Sequence, residues 1–187
     1  MRIIGGEARG RKLRAPADSS IRPVLDRIRE SIFATIESEL VGGSVLDLFA
    51  GVGSVGLEAV SRGARRATFV DRGQQSQEIL RQNIDSLGFT ARCQVIAGDA
   101  LALPNVADLE RETYALIFVD PPFKQFDSSE ETDQVFRRIA DILQAGALSA
   151  RGTLLLRHPS TWTGRPACEP ARVRVYGEST VLYYERA

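Results

Sequence analysis

SVLDLFAGVGSVGLEAVSRGA, residues 44–64, passes from a short apolar run through a G-x-G-x-x-G loop, Gly51 to Gly56, into a helical pattern. A glycine loop between a strand and a helix permits a tight turn and lets a ligand approach the backbone at the helix N-terminus. Asp71 closes the next apolar run, ATFVD, twenty residues after Gly51. An acidic side chain there can accept hydrogen bonds from ribose hydroxyls. Outward from this unit, CQVIAGD, YALIFVD and TLLLR repeat the short Val/Ile/Leu/Phe runs, separated by helical patterns through Ile79, Leu80, Ile84 and Leu87 and through Val135, Ile139, Ile142 and Leu143. Runs apolar on both faces, alternating with helices, predict an α/β fold with a parallel sheet covered on both sides. VRVYGESTVLYYE near the C-terminus changes character and predicts an antiparallel hairpin turning at Gly177 and Glu178, closing one sheet edge. Upstream, Leu25, Ile28, Ile32, Phe33, Ile36 and Leu40 share one stripe of an amphipathic helix of about four turns.

The 187 residues fit one domain, 1–187, with a buried core. Cys93 and Cys168 form neither a disulfide framework nor a thiolate zinc site, and the lone His158 rules against a histidine-rich metal centre, so no metal is expected. The opening MRIIGGEARGRK has no signal-peptide core and no apolar run reaches bilayer length, so a soluble, cytoplasmic protein is expected, with no membrane partner. Lys+Arg and Asp+Glu both number 24, giving zero formal charge. That balance is uneven along the chain. Within residues 1–14, five cationic side chains, Arg2, Arg9, Arg11, Lys12 and Arg14, stand against Glu7, so a +4 head precedes a −4 body. Gly5, Gly6 and Gly10 among them suggest a short hairpin, and clustered cations suit nucleic-acid phosphates as well as a solvated tail.

The nature of the ligand turns on Asp47, inside the first strand. A carboxylate there repels a pyrophosphate and suits a ligand with cationic groups, which favours S-adenosylmethionine, with its sulfonium and amino group, over a nicotinamide dinucleotide. Asp99, in GDA after the third run, is placed for the adenine edge of the same ligand. Asp120-Pro121-Pro122-Phe123 ends YALIFVD and should open on the same crevice. Two prolines remove N–H donors, leaving carbonyls beside the Asp120 carboxylate and an aromatic face at Phe123. Such acceptors fit the exocyclic amino group of a planar base, orienting its lone pair while Phe123 stacks.

The combination of DLFAGVGSVGLEAVSRGA, the acids Asp71 and Asp99, and DPPF resembles the S-adenosylmethionine-dependent methyltransferases that modify base amino nitrogens. MRIIGGEARGRKL, RPVLDRIRESIFATI (22–36) and VYGESTVLYYE resemble one branch, the bacterial small-subunit (16S) ribosomal RNA guanine-N2 methyltransferases. The resemblance implies a Rossmann-like seven-stranded methyltransferase sheet, mostly parallel with an antiparallel C-terminal hairpin, and a short basic extension over residues 1–21 that contacts RNA. It implies cofactor-binding roles for Asp47, Phe49, Gly51, Gly53, Gly56, Asp71, Asp99 and Ala100, catalytic roles for Asp120, Pro121, Pro122 and Phe123, and RNA-binding roles for Arg2, Arg9, Arg11, Lys12, Arg14 and Arg22. The implied substrate is a guanine of small-subunit rRNA, in an assembled or assembling subunit, modified by a monomer. Adenine-N6 methylation of RNA or DNA shares every core motif and stays open. An NAD-dependent oxidoreductase is the more distant alternative, opposed by Asp47, and an intact DPPF opposes a non-catalytic RNA-binding module. His158 is expected at an edge or on the surface rather than in catalysis. Arg22, Arg27 and Arg29 could touch RNA or the cofactor carboxylate, while pairing with Asp26 and Glu30 is an equally good reading.

Overall fold

The protein is described from a computed structural model covering residues 1–16, 26–102 and 113–186. Leu25 and Arg22 lie outside these residues. The elements run α1 (Asp26–Leu40), β1 (Ser44–Leu48), α2 (Ser54–Ser61), β2 (Arg66–Asp71), α3 (Gln74–Leu87), β3 (Cys93–Ala97), β4 (Tyr114–Val119), α4 (Ser129–Gln144), β5 (Leu148–Pro159), β6 (Arg172–Tyr176) and β7 (Ser179–Glu185). The seven strands form one sheet in the order β3-β2-β1-β4-β5-β7-β6, parallel from β3 to β5, with β7 antiparallel to both its neighbours. The hairpin does not simply close an edge: β7 inserts beside β5, leaving β6 outermost. Among the described residues no helix is long and apolar enough to cross a membrane.

Side-chain alternation divides the strands between two cores. Val45, Phe69, Leu116, Phe118, Leu155 and Val181 pack with α1, α2 and α3 on one face. Their neighbours Leu46, Val70, Ile117, Val119, Leu154, Leu156 and Leu182 pack with Val135, Phe136, Ile139 and Ile142 of α4 on the other. α2 lies very close to β2, because a Cβ on Gly56 would stand 2.3 Å from the Phe69 ring. The third glycine of the loop is therefore a packing requirement.

The chain leaves β1 in one direction, through β2 and β3, and after β4 builds the other way through β5, so β1 and β4 flank the topological switch point. Open α/β sheets bind ligands beyond the carboxyl ends of strands at such a point.

The basic head is part of the folded body. It closes a small loop through an Arg2–Lys12 bridge, with the Ile3 and Leu13 N–H groups donating to the Arg11 and Met1 carbonyls. Ile3, Ala8 and Leu13 enter the first core. The head also sits on α2: the Ile4 and Gly5 N–H groups donate to the Glu58 carboxylate at 2.7 and 2.8 Å, and Ala8 N–H donates to Ser61 Oγ. Glu58 is 0% exposed and also accepts from Arg62 Nε at 2.8 Å. Arg29, likewise fully buried, lies 3.5 Å from Glu58, pairs with Asp26 at 2.8 Å, and donates to the carbonyls of Arg2 and Ser54. For Arg29 the pairing reading holds, and its guanidinium touches neither the surface nor a cleft.

His158 departs from expectation. β5 lies between β4 and β7, so the residue is interior, 4% exposed, with its ring against Phe126 and edge-on to Trp162. Burial pushes its pKa down, which favours the neutral ring.

Candidate active site

The carboxyl ends of five strands surround a cleft of about 410 Å³, within the range of small-molecule sites. β1 delivers Phe49 and Gly51; β2 delivers Asp71 and, beyond it, Arg72 and Gly73; β3 delivers Asp99 and Ala100; β4 delivers Asp120 to Phe123; and β5 delivers Arg157. All four residues of the DPPF tetrapeptide and five of the eight expected cofactor residues are thus brought together. Asp47, Gly53 and Gly56 stand behind the wall.

The glycine loop is held open from two sides. Phe49 takes a left-handed conformation, φ 60°, a costly setting for a residue with a Cβ, and thereby turns the chain out of β1. Asp71 then ties the turn to the next helix: its Oδ2 accepts from Gly51 N–H and its Oδ1 from Gly73 N–H, each at 2.7 Å. With one donor on each oxygen, the carboxylate retains acceptor capacity toward the cleft. Asp99 accepts from Leu101 N–H and stands 3.6 Å from Arg72 Nη1, at the rim.

Asp47 corrects the reading of its role. Its side chain is 2% exposed and accepts from Gly56 N–H at 2.9 Å, in the first turn of α2. Gly53 enters that helix at φ 84° with no side chain to cap it, so a carboxylate from β1 satisfies the orphaned donor and meets the positive end of the helix dipole. Burial pushes the Asp47 carboxyl well above its ordinary range, the Gly56 hydrogen bond opposes this, and the like charges of Asp120 and Asp71 add to the rise. A dinucleotide fold offers this helix terminus to pyrophosphate; here a carboxylate already fills it. The group fits a ligand with ribose hydroxyls and no phosphate, as S-adenosylmethionine is.

Around the tetrapeptide, the backbone of Asp120 donates to Leu48 O at 3.3 Å, locking the end of β4 to β1. The Pro122 carbonyl accepts from Gln125 N–H and opens the 3₁₀ turn Phe123–Phe126. One of its lone pairs is thus engaged in local structure, while Asp120, Pro121 and Pro122 all line the cleft. The sequence reading missed Arg157. Its Nε and Nη2 grip the two oxygens of Asp120 at 2.7 and 3.0 Å, while Nη1 reaches Ser179 Oγ at 3.3 Å. The register of β4 and β5 pairs Val119 with Leu156, so the next residues, Asp120 and Arg157, become neighbours. The signal was a charged residue after an apolar run in both strands.

The expected RNA-binding residues divide. Arg11 donates to the carbonyls of Leu87 and Ser86 at the end of α3, Arg14 donates to Gln82 Oε1, and Arg2 lies 3.9 Å from Asp26. The side chains of Arg9 and Lys12 are exposed and make no hydrogen bond or ion pair among the described residues. Arg22 lies outside the described residues.

A seven-stranded sheet in this order, with its cleft at the switch point, defines an S-adenosylmethionine-dependent methyltransferase fold. The family described as conserved hypothetical protein 95 matches residues 1–185, and the chain belongs to it. YlbH of Bacillus subtilis, a putative rRNA methyltransferase by its name, is 41% identical over 125 residues, covering 67% of this chain and 68% of that protein. Ribosomal RNA small subunit methyltransferase D of Escherichia coli K12 is 36% identical over 125 residues. That match covers 67% of this chain and 61% of the relative's length. Among solved structures, a hypothetical protein of Thermus thermophilus superposes with a TM-score of 0.79 at 31% identity, covering 99% of both chains. YhhF of Escherichia coli gives 0.78 at 28% identity, covering 100% of this chain and 97% of that one.

Proposed function

We propose that this chain transfers the methyl group of S-adenosylmethionine to the exocyclic N2 amine of a guanine in small-subunit ribosomal RNA. The observation that carries this reading is the placement of the Asp120 carboxylate and the proline pair beside it in the same cleft as the Gly51–Asp71 cradle. The relative named as a small-subunit rRNA methyltransferase supports the choice of substrate. When bound, S-adenosylmethionine supplies an electrophilic methyl on a sulfonium. Asp71 receives the ribose hydroxyls on its remaining lone pairs, Asp99 faces the adenine edge, and Phe49 and Ala100 wall the site. Gly53, Gly56 and Asp47 act from behind by fixing the loop. On the other side, the Asp120 carboxylate and Pro121 carbonyl take the two amine hydrogens, which aims the nitrogen lone pair at the methyl carbon, while Phe123 stacks on the ring. A bound S-adenosylmethionine would supply its methyl to that nitrogen and leave as the thioether, and the surplus proton on nitrogen would go to water. No general base is required, which agrees with a histidine buried against Phe126 and Trp162.

The chain acts in the cytoplasm as a monomer, on rRNA within an assembled or assembling small subunit. Arg9 and Lys12 on the docked head meet phosphate, with Arg2, Arg11, Arg14 and Arg22 contributing charge. Radiolabelled methyl transfer to naked rRNA, small subunits and duplex DNA, followed by nucleoside identification, tests the assignment. N2-methylguanosine from the small-subunit arms is expected; N6-methyladenosine would transfer the reading to the adenine enzymes. Asp120→Ala should abolish transfer while S-adenosylhomocysteine still binds, and full activity in that variant would sink the assignment.

A further inference from the structure

Arg157 touches both working parts of the tetrapeptide at once. Its fork holds Asp120 through Nε and Nη2, its third nitrogen is anchored on Ser179 of β7, and its guanidinium carbon lies 4.9 Å from the centre of the Phe123 ring. The pair is nearly buried, with side chains 7% and 14% exposed. A planar guanidinium can make all three contacts together, whereas a lysine ammonium cannot reproduce the fork.

We propose that Arg157 is a positioning residue of the methyl-transfer site, fixing the Asp120 carboxylate with its remaining lone pairs toward the amine and covering one face of Phe123 so that the other receives the target base. This rests on the reading of the cleft given above. An ionised carboxylate offers about four lone-pair sites, of which Arg157 occupies two, so acceptor capacity for an amine hydrogen remains. Among the described residues, the Asp47 carboxylate from β1 and the Arg157 guanidinium from β5 face Asp120, with Asp71, Arg72 and Asp99 elsewhere on the same cleft. Burial pushes the Asp120 carboxyl upward, and Arg157 pulls it back. A protonated Asp120 would present a donor to the amine in place of an acceptor. Arg157 therefore sets both the direction and the charge of the group that holds the substrate.

The test compares Arg157→Gln, Arg157→Lys and Asp120→Ala with the unaltered protein in methyl transfer to small ribosomal subunits across a pH series from mildly acidic to mildly alkaline. Calorimetric binding of S-adenosylhomocysteine accompanies each variant. Arg157→Gln is expected to lose about 100-fold in kcat, the scale of a small misplacement, with little change in S-adenosylhomocysteine affinity. Its residual rate should climb with pH, because Asp120 without its cation releases its proton later. Arg157→Lys should recover part of the rate at neutral pH by restoring the charge without the fork. A wild-type kcat and pH profile in Arg157→Gln overturns the proposal, as does an equal loss at every pH that lysine does not relieve. If Asp120→Ala stays active, the reading of the cleft fails whatever Arg157 does. An inactive Asp120→Ala beside a fully active Arg157→Gln removes the positioning role alone.

Discussion

Glu58 and Asp120 are both carboxylates held by arginine, and they differ in what remains free. Glu58, on α2, receives two backbone N–H groups from the head, the Arg62 Nε and the nearby Arg29, and is sealed from solvent. Asp120, at the end of β4, receives both its contacts from Arg157 and still lines a cleft. The first is a saturated knot joining head, α1 and α2. The second is a half-saturated group whose unused lone pairs point where a ligand can come. Arginine pairing by itself therefore says little about role; the count of unsatisfied acceptor sites separates architecture from chemistry.

The largest effect expected follows from breaking the saturated side. Glu58→Ala removes the acceptor of the Ile4 and Gly5 N–H groups and leaves buried Arg29 with Asp26 alone, and should cost about 3–5 kcal/mol of stability in chemical denaturation, whereas Asp120→Asn, which keeps one oxygen for Arg157, should cost less while removing methyl transfer. Similar midpoints for the two variants would erase the distinction. Next in size, Gly56→Ala places a methyl 2.3 Å from the Phe69 ring. An overpacking cost of about 1–3 kcal/mol and weaker S-adenosylhomocysteine binding are expected together, since the same residue sets the loop. Unchanged affinity would show that the loop does not transmit the strain.

Asp47 sharpens the comparison through pH. Its folded-state pKa is raised above the unfolded carboxyl value of about 3.9, so ionisation penalises the native state. Stability from this group is fully present below the unfolded pKa and declines as pH rises through the folded one. Asp47→Asn keeps a carbonyl for Gly56 N–H without the charge, so its melting temperature should gain on the wild type with rising pH. Parallel pH curves would mean that the helix dipole already offsets the burial. The smallest effect concerns the surface: Arg9→Ala should lower the salt slope of rRNA binding by about 1 without moving the melting temperature. Arg11→Ala should instead cost about 0.3–1 kcal/mol of stability, because its side chain meets the last carbonyls of α3.

Much of the sheet was legible because strand and helix periods are local properties. SVLDLFA, ATFVD and YALIFVD became β1, β2 and β4, and the three aspartates Asp71, Asp99 and Asp120 reached one cleft since parallel strands align their carboxyl ends. What depended on pairing between distant segments was harder. Asp47 was read inside the first strand, but its partner was a backbone N–H that only the geometry of Gly53 leaves exposed. The head was visible as a basic hairpin, yet its docking hangs on Glu58, an acid within an otherwise apolar helix whose partners lie more than fifty residues upstream. Arg157 was read as the end of a strand, because its meaning comes from a neighbour 37 residues away.

The insertion of β7 between β5 and β6 carries a consequence for how the molecule is made. Until residues 179–185 have been synthesised, β5 presents a bare edge and β6 has nothing to pair with, so the sheet cannot close while the earlier strands are being translated. Ser179, the anchor for Arg157, arrives with that same strand. Competence of the cleft is thereby coupled to the last long-range pairing of the chain, and a nascent polypeptide exposes the glycine loop well before it can align a substrate.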